Sequence, residues 1–236
     1  MGLGRRPVQL YDHAVGAVRA IYDRRIDTPA TLDAAHYFAK ATRFAQAHAQ
    51  IRREALTIVY TLHKVPRFHD LMPQQEDISA ADGRDWRMFI MKAYGVPVAE
   101  NLARAPTVAA LLDAAPEAVS AAFSFLAPGK HIPKHRGPFR GILRFHLMLS
   151  MPVDADGAPA CELNIDGLPY RLAEGDSLLW DDTYPHEVWN RSDQVRVALL
   201  LDVWRRDMPY DVALLSHALM AAAKAVIRVK GVSYAG

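Results

Sequence analysis

The sequence predicts an antiparallel β-sandwich or barrel preceded by a helical half, and three observations carry that expectation. From about Val119 onward, short apolar runs alternate with Gly- or Pro-containing turns: "AAFSFLAPG", "GILRFHLMLS", "ACELNIDG", "LPYRLAEG", "DSLLWDD", "HEVWNRS" and "VRVALLLDVW". Within this region "NIDGLPY" sets Asp-Gly between two runs, a strong short-range hairpin signal. Upstream, apolar residues instead recur at three- and four-residue spacing through Ala-rich stretches, which is the helical period.

Taken in order, residues 11–23 and 31–59 read as helices. Residues 66–85 carry two prolines, many polar side chains and Gly83, and read as an irregular loop, either disordered or a substrate lid. "WRMFIMKAYG" reads as a short strand, and "PTVAALLDAAP" as a helix opened by Pro106. After Pro209, "DVALLSHALMAAAKAVIRVK" reads as an apolar helix with a basic finish. It packs on the domain, or else offers its face to a membrane surface or a second copy. The expected organisation is one domain: a mainly helical region 1–117, a β core 118–208 and a C-terminal helix 209–236.

The totals exclude several classes. With 236 residues, 51% hydrophobic and 23% charged, the chain has the make-up of a globular protein with a substantial core. A net charge of +2 gives no electrostatic case for nucleic acid. The single Cys161 rules out an intrachain disulfide and fits a reducing compartment. The N-terminal residues lack a secretion signal's apolar stretch, and Arg6 breaks the myristoylation pattern. No apolar run reaches the ~20 residues of a spanning helix, so the expected location is cytoplasmic.

Chemistry concentrates in "HIPKHRGPFRGILRFHLML" (residues 131–149). Strand side chains alternate between faces. Ile142, Arg144, His146 and Met148 therefore share one face, opposite Leu143, Phe145, Leu147 and Leu149. Arg196 likewise shares a face with Ala198, Leu200 and Asp202, and Ser124 lies between Ala122 and Leu126. If these faces converge, two arginines, a histidine and a serine point into one cavity, where a small dicarboxylate would satisfy them. His135 in "HRGP" and His186 in "DDTYPHEVW" stand at strand ends. Each reads as a metal ligand, with Asp182 as an acidic partner near His186. Two such histidines at the mouth of a jelly roll match part of a two-histidine, one-carboxylate iron site. The usual carboxylate position, two residues after the first histidine, is Gly137 here.

Together Ser124, "LAPG", "HRGP", "LRFHL", "EGDSLLWDDTYPHEVWN" and "RVALLLDVWR" resemble the aspartyl/asparaginyl β-hydroxylase family of Fe(II)- and 2-oxoglutarate-dependent oxygenases, over roughly residues 120–206. The resemblance implies a double-stranded β-helix (a cupin-like jelly roll) buttressed by α-helices. It implies that His135 and His186 bind Fe(II) without a protein carboxylate, and that Gly137 is ordinary for the family. Ser124, Arg144, His146 and Arg196 match positions that hold the cosubstrate 2-oxoglutarate, and Asp182 matches an outer-shell acid near the metal, where O2 reacts. Upstream, "IRREAL", "GRDWRMFIMKAYGV" and "TVAALL" resemble the bacterial branch that hydroxylates acyl chains of lipid A and related lipids, although that branch has Asp at the position of Gly137. The implied prime substrate is a small-molecule or peptidyl Asp-type group, or an acyl lipid. A halogenase using the room at Gly137 and a non-catalytic carboxylate-binding module are the alternatives.

Overall fold

The computed structural model describes residues 5–230. Its strands are β1 (Thr31–Leu32), β2 (Trp86–Ala93), β3 (Val96–Pro97), β4 (Ala118–Leu126), β5 (His131–His135), β6 (Ile142–Ser150), β7 (Cys161–Ile165), β8 (Leu168–Tyr170), β9 (Ser177–Trp180), β10 (His186–Asn190) and β11 (Arg196–Trp204). They form a seven-stranded sheet in the order β1-β9-β6-β11-β4-β2-β3 and a four-stranded sheet in the order β5-β10-β7-β8. From β4 onward the chain alternates between sheets, staying in the smaller one only for the β7–β8 hairpin. Neighbouring strands run antiparallel. This is a jelly roll.

The β7–β8 hairpin is the one "NIDGLPY" predicts. Asp166 and Gly167 both have positive φ, 52° and 85°, as a type I′ turn requires. A second hairpin, β2–β3, turns at Tyr94 and Gly95, with φ of 46° and 82°. Tyr94 is an unusual residue for that position, because its Cβ crowds the left-handed conformation. The sequence reading missed it for that reason.

Alternation along the strands sorts side chains into two cores. Phe123, Phe125, Leu143, Phe145, Leu147, Leu199 and Leu201 face the helices and pack on Phe38, Phe44, Ile51 and Ile58. Phe145 meets Phe38 edge-on at 5.4 Å. Fully burying each such side chain contributes about 1.5–3 kcal/mol. On the opposite face Met88, Ala122, Leu126, Met148, Ala198 and Leu200 look into the jelly roll. The polar residues of those strands are carried inward with them.

Three expectations need correction. Residues 31–59 are not one helix: β1 pairs with β9 along the sheet edge, and helices Ala34–Tyr37, Ala41–Gln46 and His48–Val59 follow. Asp33 starts the first of them by accepting the Ala35 N–H at 2.9 Å. Residues 66–85 are not structureless. They hold helical turns Phe68–Leu71 and Glu76–Ser79, and the fully buried Lys130 ties them down by donating to Ser79 O at 2.7 Å and to Asp82. The C-terminal helix Tyr210–Lys230 is, over 19 residues from Tyr210 to Arg228, long and apolar enough to cross a membrane by length and composition. Asp211, His217 and Lys224 interrupt the apolar run without removing that overall character.

Candidate active site

His135 ends β5 and His186 begins β10, and the two are register partners in the smaller sheet. Their rings lie 4.0 Å apart between centroids, tilted by 56°. The Nδ1 of His135 lies 2.8 Å from the Pro133 carbonyl, and that of His186 lies 2.9 Å from the Tyr184 carbonyl. A carbonyl can only accept, so each Nδ1 carries a proton and the neutral ring keeps its lone pair on Nε2. Burial pushes both imidazole pKa values down, most strongly at His186, where His135 adds to the effect. The rings are thus held neutral. Two oriented, neutral imidazoles are the donor set a divalent transition metal takes.

Gly137 is not an open gap. A Cβ there would sit 2.2 Å from Asp182 Oδ1 and 2.4 Å from its Cγ, and the Gly137 N–H already donates to the Asp182 carbonyl at 2.6 Å. The Asp182 carboxylate fills the space a side chain at 137 would need. Gly137→Asp is therefore expected to displace Asp182 rather than add a third ligand. Metal titration and melting should show a less stable protein with no gain in iron affinity.

Burial raises the Asp182 pKa to about 6 against the opposing pull of Arg144. Its carboxylate is paired with Arg144, while its contact with His186 is made by the backbone. Arg144 Nη1 lies 3.2 Å from Asp182 Oδ2, while Arg144 Nε and Nη2 donate to Asp202 Oδ1 at 3.0 and 2.9 Å. Arg144 and Asp202 are register partners on β6 and β11. Arg144 is accordingly neutralised by two acids, and the expectation that it shares one anion cavity with Arg196 is corrected. It lines, with His135 and Asp182, a cleft of about 190 Å³ beneath Phe68, Met72 and Met88.

Arg196 is different. Its guanidinium is buried, Nη1 has no hydrogen-bond partner, and burial lowers its pKa. With His146 it lines a separate cavity walled by Met148, Met151, Leu163 and Val188; Glu162 also lines it, but that carboxylate pairs with Arg171 and Arg191. His146 packs edge-on against Trp180 at 5.4 Å, and the same indole meets the His186 ring at 4.7 Å. Ser124, buried on β4, does not line this cavity and accepts the Trp86 Nε1–H at 3.0 Å. Its own hydroxyl proton is not spent on that bond. The space left beside Arg196 is about 20 Å³, room for about one water. A larger anion needs the flexible Met148 and Met151 side chains to move.

Comparison with known proteins decides the family. The family model described as aspartyl/asparaginyl β-hydroxylase matches residues 45–206. The chain belongs to the aspartyl/asparaginyl β-hydroxylase family. An ornithine lipid ester-linked acyl 2-hydroxylase from Rhizobium tropici is 33% identical over 178 residues, 75% of this chain and 61% of that protein. The human aspartyl/asparaginyl β-hydroxylase is 28% identical over 138 residues, 56% of this chain and 18% of its own length. The chain thus spans less than two thirds of either relative. A cupin domain of an Enterobacter cloacae transcriptional regulator overlaps 37% of this chain and 82% of its own, with TM-score 0.30 and 18% identity. That overlap is too slight to bear on the fold, which rests on the strand order.

In this β-hydroxylase family member the sequence reading also overlooked a buried ionic cluster. Asp181, wholly buried, accepts from Arg140 Nε at 2.8 Å, from Arg205 Nη2, and from the Thr183 N–H and Oγ1–H at 3.0 and 2.6 Å. Arg140 reaches on to Asp23 and to the Tyr184 hydroxyl, and Arg205 to the Thr28 hydroxyl. The loop that carries Asp182 and leads to His186 is thereby fixed from the side away from the cleft. Nothing in one sequence says that residues 140 and 205 meet at Asp181. Asp181→Ala leaves two buried guanidinium groups without their shared anion. It should cost about 3–5 kcal/mol, read as a lowered denaturant midpoint at unchanged slope.

Proposed function

We propose that the chain is an Fe(II)- and 2-oxoglutarate-dependent hydroxylase acting on an unactivated C–H of an Asp-type amino acid or peptidyl group, or of an acyl lipid. The observation that carries the reading is Arg196, a buried guanidinium that no acid among the described residues neutralises. Buried polar groups are ordinarily paired, and an unpaired cation in a protein interior calls for an anion from outside. The facing His135 and His186, with both Nδ1 atoms engaged, fit the metal half of the same chemistry.

His135 and His186 would hold Fe(II) through Nε2. Arg196 would take the distal carboxylate of 2-oxoglutarate with its planar fork. His146, kept neutral by burial and the neighbouring arginines, lines the same cavity without adding charge. Arg144 is assigned to holding Asp182 rather than to the cosubstrate. Asp182, beside Gly137, can hold or release a proton near neutral pH at the floor of the cleft. The bound metal and cosubstrate supply activation of O2 and the oxidising power that C–H hydroxylation needs. Met88, Leu200 and Phe68 give the cleft an apolar wall.

A halogenase is the weaker reading, because the carboxylate of Asp182 occupies the space at Gly137 and would repel a halide. The test is mass spectrometry of amino acid, peptide and acyl-lipid pools incubated with the protein, Fe(II), 2-oxoglutarate and excess bromide. The reading expects succinate and a product heavier by one oxygen. A brominated product would promote the halogenase, and 2-oxoglutarate bound without any turnover would promote the non-catalytic module.

A further inference from the structure

Two apolar features that the metal and anion sites do not use lie side by side. Between the N-terminal helix Arg5–Asp23 and the C-terminal helix runs a groove of about 330 Å³, walled by Val15, Val18, Phe139, Leu219, Met220 and Ala223. That volume lies in the ~300–1,000 Å³ range of small-molecule sites. Among the described residues no charged side chain lines it. Tyr94 and Pro138 wall both this groove and the cleft of His135, Arg144 and Asp182, so the two spaces adjoin across those two side chains. The unusual turn at Tyr94 thus sits where they meet.

The second feature is the outer face of the C-terminal helix. Only 17% of the stretch from Tyr210 to Arg228 is buried, although it is apolar enough for a membrane. Leu214 and Val226 are 59% and 52% exposed, and Ala218, Ala221, Ala222 and Ala225 lie exposed between them. The helix does not stand free: Val212 packs on Tyr22 and Ile26, and Met220 packs on Val119 and Ile142. Held along one side by the domain, it is placed to lie in a membrane surface rather than to cross it. Lys224 projects from it toward the Tyr94–Gly95 turn, its Nζ 3.6 Å from where a Gly95 Cβ would be. A cation at the groove's edge suits an anionic head group.

We propose that this groove holds the acyl chain of a bilayer lipid, taken up while the outer face of the C-terminal helix rests in the membrane surface. The chain would run past Tyr94 and Pro138 toward the His135 cleft. An acyl chain fits where a peptide does not, because a peptide would bring N–H and C=O groups into a groove that offers them almost no partners. The inference names the substrate class of the proposed hydroxylase and rests on that reading for its chemistry, though not for binding.

Trp204 is the reporter, since it packs with Met220 and lies 4.7 Å from the His217 ring. The full chain is mixed with phosphatidylcholine–phosphatidylglycerol vesicles whose acyl chains carry bromine, and tryptophan emission is compared with unbrominated vesicles. Bromine should quench the emission, and Trp204→Phe should remove the part that arises in the groove, leaving any from Trp86 in the adjoining cleft. Ala223→Phe and Ala14→Phe, which fill the groove from opposite walls at accessible positions, should abolish quenching while the protein still sediments with vesicles. Leu214→Glu with Val226→Glu should lose sedimentation as well. Melting curves of each variant confirm that it is folded. Absent quenching, or quenching that survives both groove-filling variants, overturns the proposal. Quenching by dispersed brominated fatty acid but not by vesicles overturns the bilayer as the source. Succinate formation in the same preparation is scored separately. Quenching without succinate keeps the groove and removes the cofactor reading, and succinate without quenching does the reverse.

Discussion

A His186→Ala variant is expected to lose Fe(II) binding. Among the described residues the proposed site offers a metal two side chains, and His186 is the one whose ring is fixed from three sides. Its Nδ1 is held by the Tyr184 carbonyl, its edge by Trp180 and its face by His135. Loss of an outer-shell partner typically costs 10–100-fold in metal affinity. Removal of one of two ligands should cost more than about 100-fold. Calorimetric titration of the folded variant with Fe(II) under argon measures this. The alanine also removes a buried imidazole that must stay neutral, so the apo protein should still fold, and its melting curve separates ligand loss from unfolding. Wild-type affinity in the variant would move the metal site elsewhere.

Arg196→Met should move two quantities in opposite directions. Losing a charge-assisted contact to a buried carboxylate costs about 2–5 kcal/mol, or roughly thirty- to several-thousand-fold in 2-oxoglutarate affinity. Without the anion, however, Arg196 is a buried charge with no acid partner among the described residues, and burial already lowers its pKa. A methionine of similar length removes that cost, and the ligand-free protein should gain about 1 kcal/mol or more. A purely structural role for Arg196 gives the opposite stability change. A loss of stability together with unchanged 2-oxoglutarate affinity would therefore remove the anion assignment.

The parts of this structure that were legible in the sequence are those with a local cause. Period-two alternation in "GILRFHLML" and "VRVALLLDV" sorted inward from outward residues correctly, because one face of the large sheet is covered by helices and the other closes the jelly roll. Asp-Gly fixed the β7–β8 turn by its own backbone preference. Pairings between distant segments were not legible. Arg144 looked free because Asp202 is 58 residues away, and only the β6–β11 register sets them opposite each other. Gly137 looked like a vacancy because the group that fills it, Asp182, arrives from the loop after β9. Arg140, Asp181 and Arg205 meet for the same kind of reason. The break at residues 31–33 was hidden because the helices after it keep the same apolar face toward the sheet.

The central claim is that one metal held by His135 and His186 and one dicarboxylate held by Arg196 meet in the same site. An anaerobic titration of the full chain with Fe(II), followed by 2-oxoglutarate, tests it most directly. Chelation of Fe(II) by the 2-oxo acid group gives a visible charge-transfer absorption that neither component gives alone. The band should appear in the wild-type protein at about one equivalent of each, be absent from His186→Ala, and need far more 2-oxoglutarate in Arg196→Met. Iron bound tightly with no band at saturating 2-oxoglutarate, or a band that survives in His186→Ala, would contradict it.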